Sequence, residues 1–178
     1  HRRLGYASYL RGELEAMFAH AGQGAAAAAQ AGDLRLLARA ENALGIAWGS
    51  SGRFRRAIEH YSRAAAIARD LSDFASVGRF ASNISINHRL LGELAEAERC
   101  ARDAIDATRA APTTHANAWC NLGRILFEAG RPAEAEEAFE RAQAIALRTQ
   151  NAVVSAEASW GLALAALAKG EPYAAQQS

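Results

Sequence analysis

The sequence predicts an all-α fold, a solenoid of antiparallel helix pairs, and three observations indicate helical repeats. Alanine dominates the 178 residues, whereas proline occurs three times and the β-branched residues that favour strands are scarce. A composition of 51% hydrophobic and 22% charged residues is typical of a folded, soluble domain. Short motifs centred on glycine recur about every 40 residues. We therefore expect stacked helices and essentially no sheet.

Five glycines anchor the repeat, at spacings of 40, 40, 38 and 40 residues: Gly12, Gly52, Gly92, Gly130 and Gly170. The residue eight positions before each glycine is always Leu or Ile, and the residue seven positions before it is always small. Alanine predominates five and twelve positions after it. Because two helix backbones approach closely only where side chains are small, these columns predict the interhelical core.

Each unit is predicted to be two helices that meet at its glycine. The predicted helices are 1–11, 13–31, 33–51, 53–71, 73–91, 93–110, 113–129, 132–149 and 151–169, with another starting at 171. Glycine suits the left-handed residue that ends a helix, and Pro132 and Pro172 suit the first turn of the helix that follows. The predicted N-caps are Asp33, Asp73, Thr113 or Thr114, and Asn151.

Stacking of neighbouring units must supply the core, because a two-helix unit cannot bury both of its faces alone. We expect one repeat domain over residues 1–178, with units at about 1–31, 33–71, 73–110, 113–149 and 151–178. The sequence opens with His1 rather than Met, so we expect it to be a fragment of a longer protein.

Charge and cysteine content exclude several classes of protein. Twenty Lys and Arg against nineteen Asp and Glu leave a formal charge of +1, so nothing favours nucleic acid or an anionic membrane as partner. No stretch is apolar enough for a membrane span or a signal peptide. Cys100 and Cys120 match no metal or redox spacing, which favours a reducing, cytoplasmic compartment.

The repeat columns resemble the tetratricopeptide repeat. The best match comprises Trp119, Leu122, Gly123, Gly130, Ala135, Phe139 and Ala142, and the next best comprises Gly45, Trp48, Gly52, Ala57, Tyr61 and Ala64. The unit of about 40 residues is longer than the usual 34. It is similar to the repeats of kinesin light chain and of the sensor arms of bacterial transcription activators. The resemblance implies a right-handed superhelix whose first helices line a concave groove. It also implies that this groove binds peptides or helices, and that the protein has no catalytic activity.

Helical spacing places several polar columns on the predicted groove, opposite the Leu-Gly seam. The candidate peptide-binding residues are Asn83, Asn121, Arg39, Arg79, Arg89, Arg124, Asn42, Ile86, Phe127 and Trp160. Asn83 and Asn121 lie nine positions before their glycines, where peptide-binding members of the family hold the ligand backbone with an amide. An arginine wall beside apolar residues suits an acidic segment with hydrophobic anchors. The alternative for the arginines is an ordinary solvated helix face.

The remaining chemistry-bearing residues favour structural roles. His20 and His60 have no ligand spacing, so we expect no metal site and no cofactor. Trp48 and Trp119 occupy core columns, and Cys120 falls on the groove face. No nucleophile converges with an acid–base pair, so we do not expect an enzyme.

Two functional hypotheses follow. The first is a scaffold that binds a protein or peptide, in a regulatory or sensor arm of a signalling or transcription-regulatory protein. The alternative is a structural module that forms homo-oligomers through its C-terminal unit, using the helix from Glu171 and the apolar side chains of Trp160, Leu164 and Leu167.

Overall fold

The computed structural model describes the backbone of residues 2–170 and the side chains of residues 12–170, and over this range it contains eight helices and no strand. The helices are α1 (Arg2–Ala31), α2 (Leu34–Ser50), α3 (Phe54–Asp70), α4 (Phe74–Leu90), α5 (Leu94–Ala107), α6 (Pro112–Glu128), α7 (Pro132–Arg148) and α8 (Ala152–Ala168). The helix predicted to start at residue 171, with Pro172, lies outside the described residues. The all-α prediction is confirmed.

Short polar side chains start three of the helices, as predicted. The carboxylate of Asp33 accepts a hydrogen bond from the Leu36 backbone N–H at 2.9 Å. Asp73 and Asn151 cap α4 and α8 in the same way, at 3.1 and 3.2 Å.

The predicted cap at Thr113 or Thr114 is wrong. Helix α6 begins at Pro112, and its N-cap, Ala111, makes no side-chain hydrogen bond. Proline starts the helix earlier because its fixed φ is already helical and its missing N–H would have had no partner in the first turn.

Four of the five repeat glycines end a helix in the left-handed conformation. Gly52, Gly92, Gly130 and Gly170 have φ of 75, 77, 74 and 76°. The prediction is wrong at Gly12, which lies inside the continuous helix α1 instead of separating helices 1–11 and 13–31. A glycine in a helix interior costs only about 1 kcal/mol relative to alanine, so Gly12 does not by itself end the helix.

Each helix packs on the next along the chain, and successive first helices also contact each other. The latter contacts join α4 to α6 and α6 to α8. Because the inner elements of a curved stack lie closest together, these contacts place the first helices on the concave side and α3, α5 and α7 on the convex side.

The predicted small columns form the core. Ala57, Ala97 and Ala135 are fully buried. A Cβ added to Gly45 would lie 2.7 Å from the Tyr61 ring, and one added to Gly161 would lie 2.5 Å from the Phe139 ring. These glycines are therefore needed for the aromatic ring of the second helix to lie flat on the first helix.

Candidate functional site

The concave face of α2 and α4 brings together four of the candidate peptide-binding residues, Arg39, Asn42, Arg79 and Asn83, and adds Ile46. These five residues line one cavity of about 390 Å³. The Asn83 amide donates a hydrogen bond to the Asn42 side-chain oxygen at 3.3 Å, across the two helices. The cavity therefore combines cationic, amide and aliphatic groups, which is the mixture needed to hold a peptide.

A neighbouring cavity of about 310 Å³ shares Arg39 and Arg79 and adds Arg35. We call Arg35, Arg39 and Arg79 the basic cluster. The pKa of Asp73, which also lines this cavity, lies below its usual range because Ser76 donates to it from its side chain and backbone and because Arg79 and Arg35 are near. The sequence analysis did not identify Arg35 as a binding residue. Its position four residues before Arg39 places both side chains on one face of the helix, which was the signal that could have identified it.

The three arginines of the basic cluster make no ion pair with a carboxylate among the described residues. Arg79 donates a hydrogen bond to the Ser76 hydroxyl at 3.1 Å and lies over the Phe80 ring at 5.2 Å. Arg35 and Arg39 are exposed. These three arginines and one carboxylate, that of Asp73, surround the two neighbouring cavities. The surface here is therefore locally positive, although the formal charge of the chain is only +1.

Arg89 and Arg124 differ from the basic cluster, because each already has a carboxylate partner on the next first helix. Arg89 contacts Glu128 at 2.5 Å, and Arg124 contacts Glu157 at 3.2 Å. The Arg89 side chain is only 18% exposed, and its Nε is buried without a hydrogen-bond partner. These ion pairs join α4 to α6 and α6 to α8, so they neutralise the middle of the predicted groove.

The prediction that Asn121 faces the groove is wrong. Its side chain is buried and its amide donates to the Ser85 hydroxyl at 2.9 Å, which in turn donates to the Ala97 carbonyl at 2.9 Å. This chain of hydrogen bonds joins α6, α4 and α5. Ser85 offers Asn121 a hydrogen-bond acceptor inside the core, whereas the equivalent repeat position on α2 is Gly45, which has no side chain to accept from Asn83. The pair of amides on the concave face is therefore Asn42 with Asn83.

The C-terminal end of the concave face is apolar. Phe127, Trp160 and Leu164 line a cavity of about 280 Å³ with the Phe139 ring, and the Arg124–Glu157 ion pair lies at its edge. Trp160 is 68% exposed. Ile86 is half-buried on α4.

The two thiols are buried, which corrects the placement of Cys120 on the groove surface. The Cys120 Sγ lies 3.9 Å from the Val154 carbonyl, and burial raises the pKa of this thiol to about 12. Burial also raises the pKa of Cys100 on α5. Both cysteines face neighbouring helices because a thiol packs as a small apolar group.

The described residues offer no group of three or more His, Cys, Asp or Glu that could hold a metal ion. His60 and His88 instead contact Glu41 and Glu93, each at 2.7 Å. Over the same part of the chain, no helix has the length and apolar character needed to cross a membrane.

Comparison with known proteins assigns the fold. Residues 76–148 match the family model of the tetratricopeptide repeat. The TPR-like repeats of a putative kinesin light chain from Podosopora anserina superimpose with a TM-score of 0.71 at 17% identity, over 94% of this chain and 84% of that one. BtubC (BKLC) from P. vanneervenii gives 0.69 at 19% identity, over 96% and 79%. No curated protein matches the chain.

The predicted family and the predicted α-solenoid are both confirmed. The chain carries tetratricopeptide repeats over residues 76–148, and its other described helices continue the same solenoid.

Proposed function

We propose that this protein is a scaffold whose concave face binds an acidic, partly hydrophobic segment of another protein. The tetratricopeptide fold generally serves protein–protein interaction. The observation that carries the acidic preference is the basic cluster: three arginines around two neighbouring cavities, with no carboxylate ion pair in the part of the chain that the structure describes.

The pairing of the other arginines supports this proposal over a solvated face. On α5 and in the turn that follows it, the exposed arginines Arg99, Arg102 and Arg109 each pair with a carboxylate three or four residues away. Such pairs need only a carboxylate three or four residues away on the same helix. Helix α2 has a glutamate, Glu41, but it pairs with Arg63 of α3 and not with an arginine of the basic cluster. A ligand carboxylate would supply the partner that the basic cluster lacks.

The amides of Asn42 and Asn83 would hold the ligand backbone. Their mutual hydrogen bond is long, at 3.3 Å, and uses one donor of Asn83 and one acceptor of Asn42. The remaining N–H and C=O groups of both amides stay available to a peptide. The apolar cavity at Phe127 and Trp160 would take a large apolar side chain from the same segment.

We further propose that the scaffold works in the cytoplasm as a regulatory or sensor arm of a signalling protein, and that it has no catalytic activity. The surroundings of the buried polar groups support the absence of catalytic activity. The Asn121 amide donates to the Ser85 hydroxyl, and both thiols are buried. The Asn121 and Ser85 side chains are engaged in hydrogen bonds within the core. Cys100 lines a cavity together with His88, but burial raises the pKa of its thiol, which disfavours the thiolate that a nucleophile needs.

The test is selection of binders from a display library of random 12-residue peptides, followed by affinity measurement against charge-reversed variants. We expect enriched peptides rich in Asp and Glu, and we expect Arg39→Glu with Arg79→Glu to weaken their binding at least tenfold and to reduce its salt dependence. Arg148→Glu, at the exposed end of α7, is the matched control and should change little. If the enriched peptides lack acidic residues, or bind the double variant as tightly as the parent chain, the basic cluster is an ordinary solvent-exposed helix face and the proposal is rejected.

A second candidate function, self-assembly, rests on the apolar exposure of α8. Val153, Trp160 and Leu167 are 71, 68 and 63% exposed. Light scattering over a range of concentrations tests it. Growth in mass that Trp160→Ala with Leu167→Glu abolishes would support self-assembly, and a constant monomer mass would reject it.

A further inference from the structure

The convex surface carries a second groove, distinct from the concave face. A cavity of about 570 Å³ opens between α3 and α5, and α4 forms its floor. The apolar floor residues Val77, Ala81 and Ile84 are half-buried, whereas Ser62, Arg69 and Asp103 on the walls are exposed. We call this cavity the convex groove.

The convex groove has the shape of a seat for a helix. Its floor consists of Val77, Ala81, Ile84 and His88 on α4, and its α3 wall consists of Ile58, Ser62, Ala65 and Arg69. Both sets are spaced four, three and four residues apart, so each is one straight stripe along its helix. From Val77 to His88 the groove is about 16 Å long, or three helical turns.

The space between the next two convex helices, α5 and α7, is equivalent to the convex groove, and there it is filled by a side chain of α6. Ala81 and Trp119 both lie eleven residues before their repeat glycine. The Trp119 indole donates to His115 Nε2 at 3.1 Å, and Arg141 of α7 covers its ring at 4.9 Å. At the equivalent place on α4 the side chain is a methyl group, so an indole-sized space is left open between α3 and α5.

The charges around the convex groove indicate the polarity of its occupant. Asp106 on the α5 wall pairs with Arg109 at 2.7 Å, and Arg99 is shared between Asp103 at 3.3 Å and Glu96 at 2.9 Å. Arg69, at the end of the α3 wall, has no ion pair with a carboxylate among the described residues. Among the described residues, Arg69 is therefore the one arginine of the groove lining that has no carboxylate partner.

We propose that the convex groove docks an amphipathic helix of a partner protein. The helix carries an aromatic side chain that enters above Ala81, in the way that Trp119 fills the next interval, and a carboxylate near one end that pairs with Arg69. Burial of an aromatic ring supplies most of the affinity, and the Arg69 pair fixes the direction of the helix. This site is independent of the concave face.

The test is a display library of 15-residue amphipathic helices, randomised on one face and selected on the intact chain. Enriched helices should carry a central aromatic residue and a terminal Asp or Glu. They should bind Ala81→Trp at least tenfold more weakly, because the new indole occupies the groove, and Arg69→Gln should weaken binding severalfold and lower its salt dependence.

Two further variants keep the test decisive. Ser62→Lys places a long side chain across the groove from an exposed position, so it blocks docking even if Ala81→Trp fails to fold. Arg39→Gln, on the concave face, should leave the affinity unchanged, which separates this site from the proposed function. Helices that bind Ala81→Trp or Ser62→Lys as tightly as the parent chain would overturn the proposal, as would a selection that enriches no helix.

Discussion

Asn83 and Asn121 occupy the same place in successive repeats, yet their amides have different surroundings. Asn83 is half-buried and contacts Asn42, whereas Asn121 is buried and donates to Ser85. The preceding first helix carries a hydroxyl at Ser85 for the Asn121 amide, whereas the equivalent repeat position, Gly45, has no side chain. The same residue type thus belongs to a candidate site in one repeat and to the core in the next.

The two asparagines should respond differently to truncation. Asn121→Ala removes the donor to Ser85 from a buried site, so we expect a loss of about 1–3 kcal/mol of unfolding free energy. Asn83→Ala should stay within about 0.5 kcal/mol, since its amide is accessible to water. Urea unfolding of both variants measures this. Equal midpoints would contradict the burial of Asn121.

A second residue-scale prediction concerns the left-handed residues that are not glycine. Ser72 and Gln150 have φ of 55 and 54°. Because this conformation costs an L-residue about 1 kcal/mol, Ser72→Gly should stabilise the fold by up to that amount. Ser51→Gly is the control, since Ser51 has φ of −85° and should gain nothing. A lower melting temperature for Ser72→Gly would count against the left-handed turn.

At the scale of the helix, capping and close packing determine where each element lies. The carboxylate of Asp73 caps α4, and hydrogen bonds from Ser76 hold its pKa below the usual range. Glycines of the first helices admit the aromatic rings of the second helices. The cap is local in sequence and acts through hydrogen bonding, whereas the glycine contacts join neighbouring helices and act through steric fit.

The Asp73 cap makes α4 sensitive to acid. Asp73→Ala should cost about 1 kcal/mol at neutral pH, because it leaves an N–H of the first turn without its acceptor. A carboxylate with a lowered pKa contributes stability above its unfolded pKa and loses it as the pH falls through the folded value. The difference in stability between parent and variant should therefore shrink below about pH 4. A difference that stays constant between pH 7 and pH 2.5 would contradict the cap.

Two glycine substitutions test the helix contacts. Gly161→Ala would place a Cβ 2.5 Å from the Phe139 ring and should cost about 1–3 kcal/mol through overpacking. Gly22→Ala meets open space within α1 and should stabilise the fold by about 0.5–1 kcal/mol. Thermal melting of the pair gives the comparison. Shifts of the same sign would disprove the predicted packing of α8 on α7.

Over the whole molecule the core is unevenly distributed. The larger cluster of buried residues extends from α5 to α8, whereas a smaller one joins α3 to α4 through Ala64, Ala65, Ala68 and Phe80. Helix α1 packs mainly on α2. Because a solenoid is stabilised by nearest-neighbour contacts, stability should follow this distribution.

Hydrogen exchange should therefore differ along the solenoid. We expect amides of α6 and α7 to exchange slowest and those of residues 12–31 in α1 fastest, since opening α1 breaks the contacts with one neighbour only. Exchange followed by mass spectrometry measures the order. Uniform protection across all helices would show that the solenoid unfolds as one cooperative unit.

The sequence by itself determined the repeat, the helix pairs, four of the five turns and three N-caps. Glycine spacing, alanine columns and caps such as Asp33 are local signals, because each depends on residues within one turn or one helix. The same columns placed Arg39, Asn42, Arg79 and Asn83 on one face, and the structure brings these four together around a cavity.

Only the tertiary structure decided which of the candidate binding side chains already have a partner within the chain. Arg89 and Arg124 pair with Glu128 and Glu157, which lie 39 and 33 residues away, and Asn121 donates to Ser85. One helical residue turns by about 100°, so a column fixes a side chain's direction but not what the facing helix offers it. That partner depends on how two helices meet, which is why the fold followed from sequence columns while the composition of the site did not.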